Sequence, residues 1–331
     1  MRRRIFLAQA AAFATLPAFS ANAAPPDIAL FDAAVYLVST DTTRFPRLSP
    51  GSPLGGVEPA GTTRPGVSVQ TGRARPVPTA EAVLQWMRDQ NVDRIAAVQS
   101  EQDYGYSNDY LLLSADLYPD QMSPVVIIDA NQPDAPARLR SLISGKGVAA
   151  VRLTGTTAPN GDSPWLASDQ ALNIWQVAAD TGIALDLMYL PPMHSNAALA
   201  AIATAAAKFP TVRVVLDHFG WPAVHGAPGF GVTEKFAAVA RHPNIYLKFT
   251  SVNLDVLEAA KIPADRFLAH AVSVLGPERL MWGSDFGSTP GTYAELVARG
   301  RAAASLLSAA DQQKVMHDNG KGFFIRGGLP T

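Results

Sequence analysis

Asp285 follows the apolar run Leu280-Met281-Trp282-Gly283 and precedes Gly287 and Pro290, so a carboxylate stands where a strand passes into a turn. His218, behind Asp217, closes the apolar stretch that begins at Val212 in the same way. A carboxylate can take a proton from water and an imidazole can accept or donate one near neutral pH, so this pair suits general acid–base hydrolysis. Each also has a plain structural reading: the aspartate can cap the next helix, and the histidine can be satisfied inside a strand wall. Which reading holds depends on whether the strand ends gather at one place.

The elements that must position them recur along the chain. Short apolar runs at residues 28–38, 94–99, 122–128, 148–153, 183–189, 212–218, 245–249 and 280–284 read as strands. They lack strict polar alternation, as parallel strands covered on both faces do. Between and after them, residues 80–90, 107–117, 133–144, 168–181, 196–208, 233–241, 264–275 and 293–307 read as helices. Eight strands alternating with helices predict an α/β fold, a single-domain (β/α)8 TIM barrel. An open doubly wound sheet is the alternative, but no Gly-x-Gly-x-x-Gly turn follows the first strand.

In such a barrel the chemistry lies at the C-terminal strand ends. The polar residues there are Asp32, Gln99, Ser100, Arg152, Tyr189, Asp217, His218, Lys248 and Asp285. Lys248 either holds substrate or pairs with Asp217 or Asp285. Tyr104 and Asn108, after the second strand, either reach the pocket or shape a turn and helix cap. Trp282, inside its apolar run, reads as core, and His242, His270 and His317 lie in or beside helices. Residues 39–79, rich in Pro, Gly, Thr and Arg, form a connection long enough to read as a loop over the site.

Three segments carry a family likeness: Leu216-Asp217-His218-Phe219-Gly220-Trp221-Pro222, Tyr246-Leu247-Lys248-Phe249-Thr250 and Leu280-Met281-Trp282-Gly283-Ser284-Asp285-Phe286. With Gln99 and Tyr104 to Asn108, Gly147 to Arg152, and Asn319 to Phe324, the chain resembles the amidohydrolase-related family in order from about residue 28 to about 325. The branch it resembles is the 2-pyrone-4,6-dicarboxylate lactonase type. That resemblance implies hydrolysis of a lactone or ester-like carbonyl bond, with Asp285 as general base and His218 stabilising an oxyanion. It further implies that Arg152 anchors a carboxylate of a small carboxylated substrate, with Gln99, Tyr104, Asn108, Tyr189 and Lys248 lining the pocket. The family's first strand ends in Asp-x-His-x-His, whereas here it reads Asp32-Ala33-Ala34-Val35-Tyr36. Tyr36 therefore replaces a pocket histidine by a phenol, which can donate a hydrogen bond but is no base near neutral pH; it is expected to stabilise the oxyanion beside His218, with aromatic packing under the long loop as the alternative.

A catalytic zinc needs about three protein ligands, and His218 with Asp285 supplies two, with His194 and His225 available for recruitment. The expectation is an enzyme with no cofactor and no tightly bound metal. A metal-dependent hydrolase or decarboxylase is the enzymatic alternative, and a barrel that binds a small molecule without turnover is the alternative from another class.

The first 23 residues stand apart from the fold. Arg2, Arg3 and Arg4, an apolar stretch from Ile5 to Phe19 and Ala21-Asn22-Ala23 make an export signal with a twin-arginine look. Residues 24–331 would then form the mature barrel, in the periplasm and with no membrane span, since the apolar stretch is too short for one. Removing the signal takes away three arginines and no acid, so the net charge passes from −1 to −4, and no nucleic-acid surface is implied. The chain has no cysteine, so neither disulfides nor thiolate metal sites enter. Partners beyond a small-molecule substrate, and the oligomeric state, have no sequence signal.

Overall fold

The computed structural model describes residues 28–49, 77–156, 164–190 and 196–325. The expected leader and most of the loop expected over the site, residues 50–76, lie outside them, as does His194. Eight parallel strands follow one another around a single barrel: β1 (Leu30–Tyr36), β2 (Val92–Val98), β3 (Met122–Ile127), β4 (Ala150–Thr156), β5 (Ala184–Leu190), β6 (Val214–Leu216), β7 (Ile245–Thr250) and β8 (Leu280–Gly283). Each pairs with the next. Among the described residues no helix is long and apolar enough to cross a membrane.

Closure between β8 and β1 is made largely by a side chain. The register of β1 slips between Asp32 and Val35, and Asp32 fills the gap, its Oδ1 accepting from Ser284 N at 2.7 Å and Ala34 N at 3.1 Å. Its Oδ2 accepts from the Tyr293 hydroxyl at 3.0 Å. Beyond it, Tyr36 N donates to Phe286 O at 2.9 Å. The strands approach so closely that a Cβ at residue 283 would lie 3.0 Å from Ala34 N, so any larger residue there would press the two strands apart by a few tenths of an ångström.

The barrel interior is layered. Phe323 and Phe324, from the helix Asn319–Phe324, plug the N-terminal end, with Phe324 stacked on Phe31 and Phe323 edge-on to Tyr246. Arg213 donates to Phe323 O at 2.6 Å, and Asn319 Nδ2 reaches Pro277 O and Leu280 O, which seats this plug. Two residues further along the strands, the small inward positions Ala150, Ala184 and Val215 give way to Arg152, Asp186 and Asp217, with Lys248 two residues after Tyr246. The period of two along a strand thus stacks a charged layer directly over the apolar plug.

Several boundaries differ from expectation. The strand expected to run to His218 stops at Leu216, because the backbone turns left-handed from His218 onward. Immediately after β7 an unforeseen helix, Ser251–Ala259, begins, and the helix from Tyr293 ends at Ala303 rather than 307.

Candidate active site

The charged layer is a closed set of two cations and two carboxylates. Arg152 Nη2 donates to Asp217 Oδ2 at 2.6 Å and to Asp186 Oδ2 at 3.2 Å. Lys248 Nζ lies 2.9 Å from Asp186 Oδ2 and 2.9 Å from Asp217 Oδ1. All four side chains are buried. Burial works to raise the Asp217 carboxyl, but Arg152 and Lys248 overcome it and hold the group well below the usual carboxylate range. Burial likewise opposes the charge on Arg152, yet Asp186 and Asp217 keep it firmly protonated.

Above this layer Arg152 Nη1 donates to the Tyr36 hydroxyl at 2.7 Å. Burial keeps the Tyr36 phenol well above its ordinary range, with Asp285 and Asp217 adding to the effect and Arg152 opposing it. Asp285, in the turn after β8, has φ of 57°, a left-handed conformation that aspartate and asparagine tolerate better than most residues. Thr289 Oγ1 donates to its Oδ2 at 2.8 Å, while Oδ1 is buried with no partner among the described residues. Burial raises the Asp285 carboxyl above its ordinary value and Asp217 adds to this, while His218, Thr289 and Arg152 oppose it.

His218 arrives through a turn in which it, Phe219, Gly220 and Trp221 have φ of 49°, 59°, 63° and 55°. A left-handed residue with a Cβ costs roughly 1–2 kcal/mol, so the three such residues among these four, His218, Phe219 and Trp221, need compensation. Asn253 Nδ2 donates to His218 O at 2.8 Å, Tyr189 Oη donates to Gly220 O at 2.9 Å, and Trp221 N donates to His218 O at 3.1 Å. The His218 ring is held at Nδ1 by Thr250 Oγ1 at 2.8 Å, and Trp221 packs edge-on to it.

Tyr36, Arg152, His218 and Asp285 therefore converge at one end of the barrel. The other candidates have their polar atoms engaged elsewhere. Lys248 is fully buried between Asp186 and Asp217 and does not pair with Asp285. Gln99 donates to Ser107 O, and Asn108 exchanges hydrogen bonds with the backbone of Ile127. Tyr104 accepts from Ser39 N at 2.7 Å, which fastens the start of the long connection. Tyr189 clamps the left-handed turn. Asp186 escaped sequence reading, although a lone carboxylate two residues after Ala184 in a buried strand demanded a cation. Thr250 and Asn253 gave no comparable signal.

Among the described residues, the side chains do not form a metal site of three protein ligands. Ala34 and Tyr36 stand where β1 would offer imidazoles, His225 Nδ1 lies 2.8 Å from Gly226 O on the surface, and no cluster of three His, Asp, Glu or Cys forms among the described residues.

Barrel and strand-end constellation together define a class, and the chain belongs to the amidohydrolase family, whose model matches residues 63–324. Among curated proteins it is similar to L-fucono-1,5-lactonase of Burkholderia ambifaria, 26% identical over 166 residues. That match spans 48% of this chain and about half, 53%, of the relative. Among solved structures it is similar to a 2-pyrone-4,6-dicarboxylic acid hydrolase from Pseudomonas putida, with TM-score 0.64 and 19% identity over 89% of this chain and 97% of the other. It is also similar to a manganese-bound dihydroxybenzoic acid decarboxylase from Polaromonas, with TM-score 0.59 and 12% identity over 89% and 96%. At these identities the structural likenesses establish the fold.

Proposed function

We propose that this protein is a lactonase that opens an uncharged, hydroxyl-bearing lactone by attack of water without a bound metal. The observation that carries the reading is Asp285 Oδ1, buried and unpartnered among the described residues, beside a phenol held by Arg152. In this mechanism the Asp285 carboxylate takes a proton from water as the water oxygen bonds to the lactone carbonyl carbon. Negative charge then develops on the carbonyl oxygen, and the Tyr36 O–H donates to it. The ring C–O bond breaks next, and the leaving alkoxide recovers the proton from Asp285. Burial, by raising the Asp285 carboxyl, makes it a stronger proton acceptor than a free carboxylate.

The charge balance supports an uncharged substrate over the carboxylated one expected from Arg152. Arg152 and Lys248 are matched by Asp186 and Asp217, so an ionised Asp285 leaves the constellation negative. A small recess on the β3–β4 rim, lined in part by Tyr106, Asp129, Asn131, Thr154 and Trp165, offers hydroxyls, an amide and an acid but no cation among the described residues. The likeness to L-fucono-1,5-lactonase supports the lactone. The leader supports export, which replacement of Arg3 and Arg4 by lysine should block if the twin-arginine reading holds.

The test is turnover of a panel of aldono-1,4- and 1,5-lactones beside a dicarboxylated pyrone lactone and dihydroxybenzoates, each with and without chelator. Uncharged lactones should be opened at a rate indifferent to chelator. Preference for the carboxylated lactone, release of carbon dioxide, or loss of activity on chelation would overturn the proposal.

A further inference from the structure

Asn253 has only one amide orientation that its surroundings accept. Its Nδ2 lies 2.8 Å from the His218 carbonyl oxygen, which can only accept, and its Oδ1 lies 2.9 Å from Thr250 N–H, which can only donate. Oδ1 is therefore turned toward Thr250, whose hydroxyl oxygen is 3.3 Å from it and 2.8 Å from His218 Nδ1. The threonine hydroxyl has a single proton to place between these two neighbours. Placed on Nδ1, it would leave two acceptor oxygens facing each other in a site where Thr250, Asn253 and His218 are all buried. Placed on Asn253 Oδ1, it frees an oxygen lone pair to receive a proton from Nδ1, and both contacts become hydrogen bonds. Leaving a buried polar contact unmade costs more than a typical bond gains, so the second arrangement wins.

We propose that Thr250 and Asn253 are positioning residues that hold His218 as its Nδ1–H tautomer, leaving the Nε2 lone pair to accept a hydrogen bond from the attacking water. The clause about water rests on the lactonase reading; the tautomer does not. The ring's side-chain hydrogen bond among the described residues is the one at Nδ1, which leaves Nε2 available for that contact. One water hydrogen then faces Asp285, which takes it, and the other faces His218, which orients the oxygen toward the carbonyl carbon. His218 thereby moves from the oxyanion, where the family likeness placed it, to the nucleophile. Asn253 acts twice, since the same amide that orders the hydroxyl also secures the left-handed carbonyl of His218.

A long-range proton–nitrogen correlation spectrum of the full chain labelled with ¹⁵N-histidine reads the tautomer directly. There are six histidines, and the His218→Asn variant identifies the signals that belong to residue 218. In the wild type, Nδ1 should resonate as a protonated nitrogen and Nε2 as an unprotonated one. Thr250→Val removes the acceptor and should shift the ring toward Nε2–H, with kcat on an uncharged lactone falling about 10-fold to 100-fold and KM changing far less. Thr250→Ser should restore both the spectrum and the rate. A wild-type spectrum with the proton on Nε2, or a Thr250→Val spectrum like the wild type, would sink the proposal, and the first result does not depend on that variant folding. Failure of every lactone in the panel would remove the water's role while the spectrum still decided the tautomer.

Discussion

The Tyr36 hydroxyl oxygen accepts a hydrogen bond from Arg152 Nη1 at 2.7 Å, and because a guanidinium can only donate, the phenol proton must point elsewhere. Arg152 is itself anchored by Asp186 on the neighbouring strand β5 and by Asp217 just past the end of β6. The phenol thus stands on β1, where the family likeness expects a histidine, with its donor already aimed. Tyr36→Phe should lower kcat about 100-fold to 1,000-fold, the usual loss for one oxyanion donor, with little change in KM. If Tyr36 only fills space, steady-state kinetics of the phenylalanine variant will match the wild type.

Asp285→Asn tests the base. Asparagine tolerates the left-handed conformation of residue 285 and can still accept from Thr289, so the variant should fold. It cannot take a proton, and kcat should fall about 100-fold to 10,000-fold. The wild-type rate should rise with pH through a carboxylate whose pKa is above the ordinary value, since burial favours its protonated form. That limb should be missing from the variant's profile.

Lys248 serves the charged layer. Lys248→Met leaves Asp186 and Asp217 to share Arg152 alone, and removing one partner from a buried ion pair costs about 3–5 kcal/mol. Denaturant unfolding should show a loss of that size, and adding Asp186→Asn should recover much of it by restoring one cation to one carboxylate. A loss under about 1 kcal/mol, typical of a surface pair, would contradict the enclosed arrangement.

Asp32, at the seam of β1 and β8, makes a prediction in pH. Burial lifts its carboxyl to about 6 from the ordinary 3.8, despite hydrogen bonds from Ser284, Ala34 and Tyr293. The folded state therefore holds this proton more tightly than the unfolded chain does. Its stabilising contribution is full below about pH 4 and is lost as pH rises to about 6, a change of about 3 kcal/mol. Asp217, shifted the opposite way, contributes above 3.8 and loses its share only as pH falls below that, so the two windows do not overlap. In urea melts between pH 4 and 7, the decline of Asp32→Asn should be smaller than that of the wild type by this amount, while the share from Asp285, also raised by burial, remains.

Much of this architecture was legible in the chain because its signals are local. The helices over residues 196–208 and 264–275 have the bounds that periodicity assigned them, and the apolar runs fall on the eight strands. Asp285, His218 and Arg152 were marked by sitting where an apolar run ends, which is a property of neighbours in sequence. The helix Ser251–Ala259 was missed for an equally local reason: Val252, Asn253 and Asp255 are poor helix formers, and the helix depends on the capping box made by Thr250 and Asn253.

What only the tertiary structure decided is the state of each candidate. Arg152 looks the same in sequence whether it faces a ligand or two aspartates; Asp186 meets it because the two are paired positions of β4 and β5, and Asp217 meets it because β6 is offset, with Val215 paired to Asp186 and Asp217 two residues further on, a matter of register between strands. Tyr104, Asn108 and Tyr189 likewise carry hydroxyls and an amide suited to a ligand, and they meet backbone groups because the segments they fasten pass within reach. The left-handed turn that carries His218 depends on Asn253, 35 residues later, so no reading of residues 216–222 alone could have found it. A side chain's type is written in the chain, but which of its hydrogen bonds are already taken depends on neighbours that only folding brings together.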